Sequence, residues 1–235
     1  MSQKRFVIFA QPRSGSTLLQ DLLHHHPDVH CDGELFNVDV GVDPPLRSRM
    51  LMRLAPVPYI NRRASAINQP AYGFKLLVYQ IPFPRAVLRG FLAKGWCVLH
   101  LKRTDVFAQA ISNSLAKLTG RWHRRQTQLS DEKSFAIDPA MFVSELKSRL
   151  RASRREAAII DGLPRFSIEY EQDLLGLDAR AKAISELQKF LGVREVPAET
   201  VLQQTYQLPY EELVTNYGEL VEVVRATSYS YLLPK

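Results

Sequence analysis

Arg13, Ser14, Gly15, Ser16 and Thr17 stand in a row between a short apolar run, Phe6 to Ala10, and the spaced leucines Leu18, Leu19, Leu22 and Leu23. A cation, hydroxyls and a glycine at a strand-to-helix turn suit the binding of an anion. N–H groups in the first turn of a helix have no intrahelical acceptor, and the helix dipole adds partial positive charge there. Phosphate is the usual occupant of such a turn, and Gly15 lets the backbone approach it closely. The GxxxxGK[ST] spacing of ATPases and GTPases is missing, no lysine precedes Ser16 or Thr17, and the loop is not GxGxxG. Hydroxyls that merely cap the helix would account for the same residues without a ligand.

Two further places carry chemistry. Lys102-Arg103-Thr104-Asp105 follows the apolar run Cys97 to Leu101 and leads into a helical pattern with Val106, Ala110, Ile111 and Leu115 inward. Thr104 or Asp105 suits its cap. Lys75 lies inside YGFKLLVY, where an inward lysine requires a partner; a strand-end lysine in water fits the same letters. His24, His25 and His26 are consecutive, so on a helix they point to different faces and do not converge on one ion.

Elements to position these residues follow from periodicity. Residues 6–10, Tyr72 to Tyr79, Cys97 to Leu101 and Phe166 to Tyr170 read as buried strands. Helical patterns cover 16–26, 104–119, 139–160 and 178–191, with a pair near 209–215 and 217–226. Asp138-Pro139 suits a helix start and Gly192 a helix stop. This alternation predicts an α/β fold, a parallel sheet with helices on both faces and a helical C-terminal part. Residues 37–71, with Pro44, Pro45, Pro56 and Pro58, read as an excursion over the sheet edge, and residues 120–138 as a polar, basic loop.

With 235 residues, 46% hydrophobic and 23% charged, the chain suits a single domain, 1–235, with a core that needs no staples. Two cysteines, Cys31 and Cys97, are too few for a disulfide framework and fit a reducing cytoplasm. No apolar run approaches the ~20 residues of a membrane span or the roughly 7–15 of a signal-peptide core. The net charge of +7 points to an anionic ligand. Arg121-Trp122-His123-Arg124-Arg125 interleaves an aromatic with cations, so nucleic acid is weighed; a polyanionic nucleotide explains the charge with fewer assumptions.

PRSGSTLL resembles the 5′-phosphosulfate loop of sulfotransferases that use 3′-phosphoadenosine-5′-phosphosulfate (PAPS), with Arg13 where many of them carry lysine. KRTDVFAQAISNS resembles their 3′-phosphate element, with Arg103 and Ser112 as counterparts; the spacing is one residue longer than usual, and Ser114 is the alternative. IEYEQDL with ISELQKFLG resembles their YEDL…FLG region, and Asn216-Tyr217, Glu219-Leu220 and Thr227-Ser228-Tyr229 their tail in bacterial carbohydrate enzymes. GELFN (Gly33 to Asn37) resembles the GELLN of nodulation-factor-type sulfotransferases.

The resemblance implies a bacterial, cytoplasmic PAPS-dependent sulfotransferase with a P-loop-NTPase-like fold. It would transfer the sulfuryl group to a hydroxyl of a carbohydrate or other small metabolite, without metal. Arg13, Ser14, Gly15, Ser16 and Thr17 would hold the 5′-phosphosulfate and Arg103 with Ser112 the 3′-phosphate. Arg13 and Glu34 would be catalytic, Glu34 as base, with His30 and His123 as alternatives. Lys75, Trp122 and His123 are candidates for the substrate side. The rival readings are a nucleotide kinase or NTPase, and a non-catalytic protein binding anions or nucleic acid through Arg121 to Arg125.

Overall fold

The computed structural model describes residues 3–37, 52, 54–120, 124–125, 134–203 and 208–234. Contacts divide the chain into two compact units, Met1–Lys102 with Glu156–Thr200, and Arg103–Arg155 with Val201–Lys235. The first holds β1 (Lys4–Ala10), α1 (Ser16–His24), β2 (Val29–Glu34), α2 (Pro56–Ala64), β3 (Ala71–Leu77), α3 (Pro84–Leu92) and β4 (Trp96–Lys102). It continues with β5 (Phe166–Glu169), a turn of π-helix (Tyr170–Leu174) and α6 (Leu177–Leu191). The strands form one parallel five-stranded sheet in the order β2-β3-β1-β4-β5.

Alternation along β1 shows how the sheet is covered. Val7 and Phe9 pack with Ile60 and Ala64 of α2 and Leu88 and Phe91 of α3. Phe6, Ile8 and Ala10 pack with Leu19, Leu22 and Leu23 of α1 and Ile184, Leu187 and Leu191 of α6. Successive strand side chains point to opposite faces, so a strand buried on both reads as an unbroken apolar run. On β3, a Cβ at Gly73 would lie 2.1 Å from the Phe6 ring. Only glycine leaves room for that ring between neighbouring strands.

Three elements depart from the sequence reading. Val29–Glu34 is a strand, where the sequence patterns placed no element. Pro56–Ala64 and Pro84–Leu92 are helices whose prolines occupy the first turn, where no intrahelical N–H bond is lost.

The second unit contains α4 (Val106–Thr119), α5 (Pro139–Ile160), whose end from Glu156 belongs to the first unit, and α7 (Tyr217–Arg225). Asp105 caps α4 by accepting from the Ala108 N–H at 2.8 Å, and Asp138 accepts from Met141 N–H at 2.8 Å. Phe107, Ile111, Phe142, Leu146, Leu213 and Leu220 are among its core residues. Glu145 of α5 accepts from Asn113 (3.0 Å) and Lys117 (2.6 Å) of α4 and pairs with Arg149 (2.7 Å). Arg124–Arg125 pairs antiparallel with Leu202–Gln203 inside the stretch read as a loop. Among the described residues no helix is long and apolar enough to cross a membrane.

Candidate functional site

The loop 11–15 leaves the carboxyl end of β1, the central strand, which is where open parallel sheets bind their ligands. Two of its residues hold the left-handed conformation: Arg13 at φ 61° and Gly15 at φ 85°. A non-glycine residue in that region is uncommon and clusters at ligand clamps. Gly15 is the N-cap of α1 and has no side chain with which to cap the turn. The hydroxyls of Ser14 and Thr17 are used otherwise, so helix capping does not account for these two. Ser14 is buried, its Oγ donating to the Gln11 carbonyl at 2.7 Å, and Thr17 Oγ1 accepts from Lys75 Nζ at 2.9 Å. The first-turn N–H groups of α1 therefore meet no cap from Gly15.

Tyr170 closes the loop from the β5 side: a Cβ on Gly15 would lie 2.4 Å from its ring. Gly15→Ala should thus cost roughly 1–3 kcal/mol for the left-handed backbone, with further loss from moving Tyr170. Urea denaturation checks this; a midpoint equal to that of the wild type would count against so tight a fit.

Beneath the loop lies a buried polar chain. Gln11 Nε2 donates to Glu156 Oε2 at 2.6 Å, and His100 Nε2 meets Glu156 Oε1 at 3.1 Å. All three side chains are buried. The residue that begins the loop is thereby tied to α5 and β4.

Beside the loop, β2 delivers Glu34. Asp32 pairs with Phe74 and Glu34 with Lys75, with an irregularity between them. This β-bulge reverses the alternation, so Asp32 and Glu34 face opposite sides of the sheet although two residues apart. Lys75, 3% exposed, bridges Glu34 Oε1 at 2.9 Å and Thr17 Oγ1. Glu34 Oε2 accepts from Asn37 Nδ2 at 3.1 Å and Gln80 Nε2 at 2.6 Å. The structure thus brings together Thr17, Lys75 and Glu34, three sequence candidates, and adds Gln80.

On the other face, Asp32 accepts a forked pair from Arg63 (2.6 and 3.0 Å) and a bond from Tyr72 Oη (2.7 Å), and meets His30 at 3.2 Å. Burial pushes the Asp32 carboxyl up, but hydrogen bonds from Arg63 and Tyr72 outweigh it and hold it below the ordinary carboxylate range. Burial and the bond to Asp32 push the Tyr72 hydroxyl up. His30, in register with Tyr72 at the level of Arg5 near the start of β1, stacks on the Tyr72 ring at 5.9 Å. It lies at the end of the strands away from the loop.

The three successive histidines diverge. His26 is buried, Nδ1 accepting from Asp28 N–H (3.0 Å) and Nε2 donating to the Arg194 carbonyl (2.8 Å), the neutral tautomer. His26 is therefore structural, while His24 and His25 are exposed. Among the described residues no group of three or more His, Cys, Asp or Glu is placed to hold a metal ion.

In the second unit, Arg103 is half-buried just before α4 and Ser112 is buried on it. Trp122 and His123 lie outside the described residues.

A family model described as "Sulfotransferase family" matches residues 5–67, the stretch that carries the loop and Glu34. No curated protein matches the chain. Among solved structures, the mouse sulfotransferase SULT7A1 complexed with PAP is similar at TM-score 0.52 and 11% identity, over 98% of this chain and 88% of that one. A sulfotransferase from Alicyclobacillus acidocaldarius aligns at TM-score 0.49 and 16% identity, over 96% of both chains. The sulfotransferase domain of the Synechococcus PCC 7002 olefin synthase aligns at 0.44 and 17%, over 100% of this chain and 90% of that one. The five-stranded parallel sheet with helices on both faces has the sulfotransferase fold.

Proposed function

We propose that this protein is a sulfotransferase that uses PAPS and a hydroxyl acceptor of the carbohydrate or small-metabolite class. The observation that carries the reading is Lys75, buried between Thr17 of the anion loop and Glu34. It joins a group suited to an anion with one suited to a proton.

The donor set fits a 5′-phosphosulfate: first-turn N–H groups, the Ser16 and Thr17 hydroxyls, Arg13, and the Lys75 ammonium, with Glu34 as the facing carboxylate. Bound PAPS supplies an activated sulfuryl group, whose bond to the 5′-phosphate oxygen breaks with its electron pair left on that oxygen as the acceptor oxygen bonds to sulfur. The residues of this chain then have three tasks. Arg13, Lys75 and the loop N–H groups steady the negative charge that grows on the departing oxygen. Glu34 takes the proton of the acceptor hydroxyl. Arg103 and Ser112, by their resemblance, grip the 3′-phosphate, where the guanidinium fork donates two charge-assisted bonds. Carbohydrate as acceptor rests on the likeness of GELFN and the C-terminal residues to bacterial carbohydrate enzymes.

A ligand that binds only the folded state raises Tm with its concentration relative to Kd. 3′,5′-Adenosine bisphosphate (PAP) should therefore stabilise the protein in a thermal shift assay. ATP with Mg²⁺ or a nucleic-acid oligomer should do so less. Stabilisation by ATP with Mg²⁺ alone would point to the kinase reading, and by the oligomer alone to nucleic-acid binding. Arg103→Ala should weaken PAP about tenfold to a hundredfold, the worth of a hydrogen bond to a charged group. Unchanged PAP affinity in that variant would remove Arg103 from the site.

A further inference from the structure

The carboxylate of Glu34 offers about four lone-pair positions. Oε2 has both of its positions filled, by Gln80 Nε2 at 2.6 Å and Asn37 Nδ2 at 3.1 Å. Oε1 accepts from Lys75 Nζ at 2.9 Å and has one position left. The orientation of the Gln80 amide is decided by its other bond. Its Oε1 accepts from the Leu77 backbone N–H at 2.8 Å, and a backbone N–H can only donate. Nε2 must therefore be the atom that faces Glu34. Leu77 ends β3, so the amide is anchored to the sheet and not to a wandering loop.

We infer that Gln80 is a positioning residue: with Asn37 it saturates Oε2 of Glu34 and leaves Oε1, on the side of Lys75 and Thr17, as the position that receives the acceptor's proton. Without that clamp the carboxylate can rotate and offer either oxygen, and the fraction of encounters with Oε1 correctly aimed falls. The inference rests on the reading of Glu34 as base.

Two substitutions separate positioning from support of the β3 end. Gln80→Met loses both bonds at similar volume. Gln80→Glu keeps an acceptor for the Leu77 N–H but sets a carboxylate against Glu34 in place of a donor. Turnover is followed as PAP released from PAPS with water as acceptor, and PAP affinity by thermal shift. Both variants should lose about tenfold to a hundredfold in kcat, the loss of one hydrogen bond to a charged group, with the KM for PAPS and PAP affinity within about twofold. Wild-type turnover in Gln80→Glu together with a slow Gln80→Met would assign Gln80 to support alone and overturn the inference.

A measurement independent of turnover uses the ¹⁵N side-chain amide signal of Gln80, identified by its absence in Gln80→Met. It should move in Glu34→Gln, and a signal that stays in place overturns the contact. If Glu34→Gln itself turns over at the wild-type rate, the base assignment falls. If Glu34→Gln is slow and both Gln80 variants are normal, only the positioning inference falls.

Discussion

Exchanging Glu34 for glutamine should slow turnover by about a hundredfold to ten-thousandfold, the span that a positioned general base contributes. Affinity for PAP should change little, because no loop donor is removed. The amide is nearly isosteric but cannot take a proton at neutral pH. It also meets three donors, from Lys75, Asn37 and Gln80, with only one acceptor oxygen. Whichever way it turns, at least one donor faces an NH₂ group, so some loss of stability, about 1–3 kcal/mol, should accompany the kinetic effect. Measuring kcat and the PAP-induced Tm shift on the same preparation separates the two. Intact turnover would remove Glu34 as base. Loss of the PAP shift with the fold intact would make its carboxylate a support for the loop.

Glu156→Ala should produce the largest loss of stability, about 3–5 kcal/mol, the usual consequence of removing one member of a buried charged or hydrogen-bonded set. Gln11 Nε2 and His100 Nε2 would both lose the buried carboxylate that they meet, and buried donors deprived of an acceptor are costly. For a chain of this size the Tm should fall by about 6–20 °C. Because Gln11 begins the loop proposed to hold the phosphosulfate, PAP affinity of the protein that remains folded should fall as well. Glu156→Gln, which keeps one acceptor, should lose less of both. A Tm within a degree or two of the wild type in Glu156→Ala would show that water or a neighbour satisfies these donors.

The sheet and its loop were legible because their signals are local. Phe6 to Ala10, YGFKLL and CVLHL are apolar runs of strand length, and PRSGST marks the turn by composition alone. β2 was not legible: Val-His-Cys-Asp-Gly-Glu is half polar, as an edge strand with a bulge is bound to be, and the bulge breaks the period-two test. α2 and α3 were obscured by Pro56, Pro58 and Pro84, which read as breakers until their first-turn position is known. Lys75 announced that it needed a partner. That the partners are Thr17 and Glu34 depends on a parallel register between segments some forty to sixty residues apart. His100 gave a fainter sign still, a single polar letter inside CVLHL, and Gln11, Glu156 and Gln80 gave none.

The bulge between Asp32 and Glu34 makes β2 a partition between two acids. One side carries Asp32, neutralised by Arg63 and bonded to Tyr72; the other carries Glu34, turned toward Lys75 and Thr17. Their duties are separable, since neither carboxylate shares a partner with the other. Substitutions at Arg63 or His30 should therefore alter robustness to heat or acid without disturbing the contacts of Glu34. Exchanges at Asn37 should bear on Glu34 and leave the Asp32 side alone. A strand one peptide thick thus keeps a structural acid on one side apart from the proposed base on the other.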